Sequence, residues 1–110
     1  MIRYDVAVTV HPSRRPRLEQ ELCRLAQGRK FRVVTIQPWE LDLFREKIAT
    51  RQLRLGTLVL LNTPGDAAIS ARRPLRTVAR RAGVRVLDAD AGRRDPREEA
   101  ETLIRKTRRA

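Results

Sequence analysis

The chain has 110 residues, with 25 lysines and arginines against 13 aspartates and glutamates, and a formal net charge of +12. This length is typical of a single domain, and an apolar fraction of 41% is sufficient for one hydrophobic core. The longest apolar run, Leu58–Leu61, is far shorter than the ~20 residues of a membrane-spanning helix. One cysteine and one histidine exclude an internal disulfide and an ordinary zinc site.

The charged residues at the start of the chain and the excess of arginine over lysine restrict the class of protein further. Arg3 and Asp5 interrupt any apolar segment, so we expect no signal peptide, a cytoplasmic location and no membrane partner. Lys30, Lys47 and Lys106 are the only lysines. Arginine suits phosphate and nucleic-acid recognition because its planar guanidinium pairs bidentately with phosphate oxygens. A GC-rich genome, whose codons favour arginine at solvated positions, explains the same composition without a function.

Apolar runs and amphipathic stretches alternate along the whole sequence. Leu18, Leu22 and Leu25 fall at i, i+4 and i+7, which is the spacing of one helical face. The predicted elements are, in chain order, a strand over Asp5–Val10, a helix over Arg17–Ala26, a strand over Phe31–Ile36, a helix that starts at Pro38 and is closed by Gly56, a strand over Thr57–Asn62, a helix that ends at Gly83, a strand over Val84–Leu87, and a last helix that starts at Pro96.

The sequence predicts the first residue of the last helix more definitely than that of the helix before it. Pro74 fits the first turn of a helix that begins near Arg73, but it would kink one that begins at Ala67, and the sequence leaves both open. The last helix has Asp95 as a predicted N-cap and Glu98 as its capping-box partner three residues on.

Four strand–helix units in series predict an α/β fold. We expect a three-layer, Rossmann- or flavodoxin-like domain with about four mainly parallel strands and helices on both faces. The domain is predicted to span residues 1–92, with an amphipathic C-terminal helix over 93–110 packed on it. In such sheets ligands bind beyond the carboxyl ends of the strands, so a site is expected in the loops that follow them.

One segment resembles a known family. Leu58–Leu75, which reads LVLLNTPGDAAISARRPL, and Gly83–Leu87, which reads GVRVL, resemble a stretch of small Rossmann-like proteins related to nucleoside 2-deoxyribosyltransferases. In that family an apolar strand ends in asparagine, and a glycine-containing turn and a Ser/Thr-Arg-Arg helix start follow it. Ser13-Arg14-Arg15 stands where the family has a Gly-Ser-x-Arg loop. The similarity spans residues 5–90 and is strongest over Leu58–Arg73.

The resemblance implies a nucleotide- or nucleoside-type ligand and no cofactor. Turn amides and the start of the third helix would hold the phosphate, with arginines adding charge-assisted hydrogen bonds. The alternatives are a Pro-Gly turn that serves geometry alone and a solvated start of the first helix. The predicted ligand-binding residues are Ser13, Arg14, Asn62, Gly65, Ser70, Arg72 and Arg73.

Several positions depart from the family's pattern. Its transferases and hydrolases use a glutamate on the helix after the third strand as nucleophile, whereas Pro74 and Ile69 stand at the acidic positions here. His11-Pro12 replaces the glycine of the first loop, and Gly56 replaces an acid before the third strand. The resemblance therefore implies a nucleotide-binding protein that has lost the family's chemistry. A remaining activity would be that of a deoxyribosyltransferase or N-glycosidase, with His11 and Asp88 as candidate catalytic residues.

Two other functions stay open. Arg72, Arg76 and Arg80 fall at i, i+4 and i+8, and this basic stripe, opposite the apolar one, would contact a nucleic-acid backbone without base specificity. The other possibility is a structural protein or a homo-oligomer, because Trp39 on the second helix is typical of a core or an interface. Cys23 is predicted to be a small buried residue of the first helix.

Overall fold

A computed structural model describes residues 2–9, 15–27, 32–62, 72–90 and 95–108. Strands and helices alternate through these residues, as the sequence predicts. The elements are β1 (Ile2–Thr9), α1 (Arg15–Ala26), β2 (Val33–Ile36), a 3-10 turn (Pro38–Glu40), α2 (Leu41–Ala49), β3 (Leu53–Asn62), α3 (Arg72–Arg81), β4 (Arg85–Asp90) and α4 (Pro96–Arg108).

The four strands form one parallel sheet in the order β2-β1-β3-β4. Each connection crosses over through a helix, because parallel neighbours cannot be joined by a tight turn. Thr9, the last residue of β1, pairs with Ile36 of β2 on one side and Leu60 of β3 on the other. The predicted α/β architecture with a parallel sheet is confirmed.

The helices cover both faces of the sheet and create two apolar cores. One core lies under α1 and α4, where Leu18 and Leu103 pack against Val8 and Val59. The other lies under α2 and α3, where Phe44 and Leu75 pack with their strand neighbours. Side chains of β3 alternate between the two cores over Leu58–Leu61, which explains why this run is apolar throughout.

The ends of α2 and α3 use the same hydrogen-bonding pattern with different residues. Gln52 N–H donates to the carbonyl of Lys47 at 2.9 Å, and Val84 N–H donates to that of Ala79 at 2.9 Å. Both are Schellman bonds, which require a left-handed residue just past the helix. Gly83 supplies it after α3 with φ 79°, as predicted, whereas Arg51 supplies it after α2 with φ 61°. The prediction that Gly56 closes the second helix is therefore wrong.

Gly56 instead lies inside β3, which begins at Leu53 rather than at the predicted Thr57. A Cβ at this position would stand 2.9 Å from the carbonyl oxygen of Asp5 on β1, so only glycine fits without a backbone shift. Leu55 and Leu58 pack in the same core although they are three residues apart, so the alternation of β3 breaks at Gly56.

The facing part of β1 is irregular as well. Asp5 N–H and Val6 N–H both donate to the carbonyl of Arg32, at 2.9 and 3.1 Å, so two residues face one as in a β-bulge. Arg32 N–H in return donates to Asp5 Oδ2 at 2.7 Å. The bulge and Gly56 together let β1 and β3 pass each other closely.

One expectation about a single residue is corrected. Cys23 is exposed, because Leu22 and Ala26 rather than Cys23 occupy the buried face of α1. Trp39 is 68% exposed on the 3-10 turn before α2, so of its two predicted places, a core or an interface, the core is excluded. Pro74, whose fit to its helix the sequence left open, is the third residue of α3 and so lies in the first turn, where a missing N–H costs no helical hydrogen bond.

Candidate functional site

In a parallel sheet with this strand order, the position at which ligands bind lies between the carboxyl ends of β1 and β3, and we call this position the crevice. The chain leaves β1 for α1 on one face of the sheet and leaves β3 for α3 on the other face. Because α1 and α3 lie on opposite faces, this is the topological switch point of the sheet. β3 also extends further than β1, since its last residue, Asn62, pairs with Asp90 of β4 and lies two positions beyond the pairing with Thr9.

The side chain of Thr9, the last residue of β1, contacts the backbone of β3. Its Oγ1 accepts a hydrogen bond from Leu61 N–H at 3.0 Å, inside the protein. A side-chain oxygen thus meets a β3 amide beyond the last register pair of the two strands. Thr9 is almost completely buried, so this bond stabilises the floor of the crevice.

A second polar pair lies beside the crevice on β2. Thr35 Oγ1 donates to Glu19 Oε2 of α1 at 3.0 Å, and Thr35 is buried. The bond joins α1 to the carboxyl end of β2 and places a carboxylate near the start of that helix. Sequence reasoning missed both residues, because Glu19 is an ordinary surface residue in a helical pattern.

Gln37 follows β2 at the same edge and is 7% exposed. Its N–H donates to Glu40 Oε1 at 3.1 Å, and its carbonyl accepts Glu40 N–H at 2.9 Å, so the 3-10 turn fixes its backbone. The side-chain Oε1 is buried, and no donor among the described residues lies within hydrogen-bond distance of it. A buried acceptor without a donor costs about 1–3 kcal/mol, and a ligand with a hydroxyl or N–H group would remove that cost.

Glu99 adds a buried carboxylate near the start of α4. The sequence pattern groups it with Glu98 as acids that suit the helix dipole, but Glu99 is buried and Glu98 is exposed. These buried polar residues follow the strand ends: Thr9 and Thr35 lie near the carboxyl ends of β1 and β2, Gln37 directly follows β2, and Glu99 is the fourth residue of α4, the helix that follows β4. A polar residue at the end of an apolar strand, as at Thr9 and Thr35, is the signal that sequence reading could have used.

The starts of α1 and α3 are basic, and these helices begin on the two sides of the crevice. The first turn of α1 includes Arg15 and Arg17, that of α3 includes Arg72 and Arg73, and neither contains an acid. The first turns of α2 and α4 do contain acids. Arginine is unfavourable at the positive end of a helix dipole, by about 0.3–1 kcal/mol, and a bound anion reverses that.

The described residues include only part of the predicted site. His11, Ser13, Arg14, Gly65 and Ser70 lie outside them. Asn62 is the last residue of β3, Arg72 the first of α3, and Arg73 is exposed in the first turn of α3. The backbone positions of Asn62, Arg72 and Arg73 thus lie at one edge of the sheet, beside the crevice.

The candidate catalytic residue Asp88 and the arginine stripe meet each other. Arg76 forms an ion pair with Asp88, which lies within β4 rather than after it. This contact places Arg76 on the flank of α3 beside β4, so the stripe is not simply opposite the apolar face. Arg80 is exposed, whereas Arg76 is partly buried and already paired.

Metal-binding clusters and membrane-spanning helices are both absent from the described ranges. Among these residues, no group of three or more histidine, cysteine, aspartate or glutamate side chains could hold a metal ion. In the same ranges no helix has the length and apolar character to cross a membrane.

Comparisons with known proteins bear on the fold. No protein-family model and no curated protein sequence matches the chain. Among solved structures, a de novo designed Rossmann fold protein is similar, with a TM-score of 0.54 over 100% of both chains at 18% identity. The fold is Rossmann-like. At this identity the similarity concerns the Rossmann-like fold alone.

Proposed function

We propose that this Rossmann-like domain binds a nucleotide or a nucleoside phosphate in the crevice between β1 and β3. The observation that carries the proposal is the charge of the two helices that begin there. α1 and α3 have arginines and no acid in the first turn, whereas α2 and α4 have acids. A phosphate at the crevice would be attracted by the positive ends of both helix dipoles and would neutralise the arginines.

The uncharged part of such a ligand has a counterpart at Gln37. Its buried Oε1 requires a donor, and a ribose hydroxyl or the N–H of a base can supply one. The resemblance over Leu58–Arg73 to relatives of nucleoside 2-deoxyribosyltransferases supports the same class of ligand. Pro74, at the family's acidic position, has no carboxylate, so we propose binding without glycosyl transfer.

A thermal-shift panel at physiological salt tests this function. It compares nucleosides, nucleoside monophosphates and ADP-ribose with pyrophosphate, which carries charge alone. A ligand that binds the native state at 100 times its Kd stabilises by about 2.7 kcal/mol, so a nucleotide is expected to raise the melting temperature by several degrees. Equal shifts with every anion, pyrophosphate included, would show a charged surface and contradict a nucleotide site.

The Gln37→Met variant tests whether the buried amide takes part. Methionine has a similar shape and no acceptor, so the ligand-free protein is expected to melt at the same temperature or slightly higher. The nucleotide-induced shift is expected to fall by at least half. Gln52→Met is the matched control, because Gln52 is exposed at the opposite edge of the sheet and should leave the shift unchanged. A full shift in Gln37→Met would place the ligand elsewhere.

A further inference from the structure

We propose that the amino edge of the sheet, opposite the crevice, binds the phosphate backbone of a nucleic acid. The surface consists of the exposed residues Arg3, Arg32, Arg51 and Arg54, and we call it the amino-edge surface. It is separate from the nucleotide crevice, and the two proposals do not depend on each other.

Arg3 and Arg54 are its centre. They are register partners on the neighbouring strands β1 and β3, and both are exposed. Adjacent strands are about 4.8 Å apart, so two positive charges lie side by side on one face of the sheet. Like charges in this arrangement destabilise a sheet unless an anion lies between or over them. Two adjacent arginines give no stability to a surface that contacts only water, whereas on a phosphate-binding surface both can pair with the anion.

Arg32 and Arg51 extend the surface on both sides. Arg32 immediately precedes β2, next to β1 in the sheet. Arg51 occupies the left-handed position after α2, where glycine or asparagine is usual, so an arginine there is held at a cost in stability. Arg51 and Arg54 line a cleft of about 350 Å³ that Leu53 and Val84 also line.

Few carboxylates neutralise these cations. In the described segments at which the four strands begin, 2–5, 32–33, 51–55 and 84–85, Asp5 is the only acid. Its Oδ2 accepts the backbone N–H of Arg32 rather than a guanidinium. The helices α2 and α3 end at the same edge with basic last turns, which raises the local potential further.

The amino-edge surface suits a nucleic acid better than a membrane, and it suits a nucleic acid better than the arginine stripe of α3 does. Arginine forks match phosphate oxygens, and phosphates repeat along a nucleic-acid backbone as the arginines do along this edge. Membrane association requires an apolar face to insert, and Ile2 is the one exposed large apolar side chain among the described residues of this edge. On α3, Arg76 is already paired with Asp88.

Fluorescence anisotropy with a labelled DNA duplex over a series of salt concentrations tests the proposal. The wild-type chain is compared with R3Q/R54Q and with R45Q/R97Q, which removes the same net charge from weakly paired arginines on α2 and α4. Each phosphate contact contributes about 0.9 to the slope of log K against log salt. R3Q/R54Q is therefore expected to lower the slope by about 2, and R45Q/R97Q to leave it unchanged.

Other outcomes would overturn the assignment. If R45Q/R97Q weakens DNA binding as much as R3Q/R54Q does, the binding comes from diffuse charge. If R76Q/R80Q weakens DNA binding more, the DNA lies on α3. If the wild-type chain does not bind DNA, the proposal is refuted. Loss of binding to phosphatidylserine vesicles without loss of DNA binding would indicate a membrane surface. R3Q/R54Q is expected to melt at or above the wild-type temperature, because a like-charge pair is removed. If it unfolds, R3Q and R54Q alone should each lower the slope by about 1.

Discussion

Replacing Leu58 with alanine is expected to lower the free energy of unfolding by about 3 kcal/mol, within the 2–5 kcal/mol of buried leucines. Leu58 is 0% exposed at the centre of β3 and belongs to the core under α2 and α3. Truncation removes apolar contacts and leaves a cavity that two packed helices cannot fill. Urea denaturation measures the loss.

Leu43→Ala is the control for that substitution. Leu43 is 48% exposed on α2, so the same change in side chain should alter the free energy of unfolding by less than about 0.5 kcal/mol. A loss below about 1 kcal/mol for Leu58→Ala would contradict the position of β3 in the middle of the sheet.

Replacing Gly56 with alanine is expected to cost about 2 kcal/mol, because the new Cβ would stand 2.9 Å from the backbone carbonyl of Asp5. That oxygen belongs to β1 and cannot move without disturbing the bulge beside Arg32. The cause is space, not the backbone angle of Gly56 itself. Urea denaturation again provides the measurement.

Asparagine substitutions at Gly56 and at Gly83 separate the effect of space from that of the backbone angle. Gly83 has φ 79° and no atom within 4 Å of the place where a Cβ would lie, and asparagine tolerates that conformation. Gly83→Asn should therefore cost less than Gly56→Asn. If the two variants are equally stable, β1 and β3 do not approach each other closely at Gly56.

Most of the fold follows from local patterns in the sequence. Apolar periodicity at Leu18, Leu22 and Leu25 and the run Leu58–Leu61 identify a helix and a strand correctly. Predicted boundaries are wrong where a residue acts against its usual role. Arg51 ends α2 in a conformation that favours glycine, and Gly56 serves a close contact between strands that are distant in sequence. No local pattern contains that contact.

Less of the candidate site follows from the sequence, because its polar groups come together only in the folded chain. The pairing of Thr35 with Glu19 and that of Arg76 with Asp88 join separate elements. The burial of Gln37 depends on the layers around β2, and its sequence neighbours do not reveal it. The basic start of α3 is evident in the sequence, but its relation to α1 across the crevice requires the strand order.

The arginines divide into two groups that composition alone does not separate. Arg24 and Arg97 pair with glutamates on their own helices, as solvated arginines do, and codon bias explains them without a function. The arginines at the starts of α1 and α3 lie at the positive end of a helix dipole, which disfavours them. Arg3 and Arg54 lie side by side on neighbouring strands, where their charges repel each other. Electrostatically unfavourable positions are the stronger sign of an anionic ligand.

An NMR titration of the ¹⁵N-labelled chain with a nucleoside monophosphate at physiological salt locates the ligand most directly. Saturable shifts are expected at the amides of Thr9, Gln37 and Leu61, which surround the crevice, and none at Arg3 and Arg54. Shifts confined to the amino edge, or no saturable shift at millimolar nucleotide, would contradict a nucleotide site between β1 and β3.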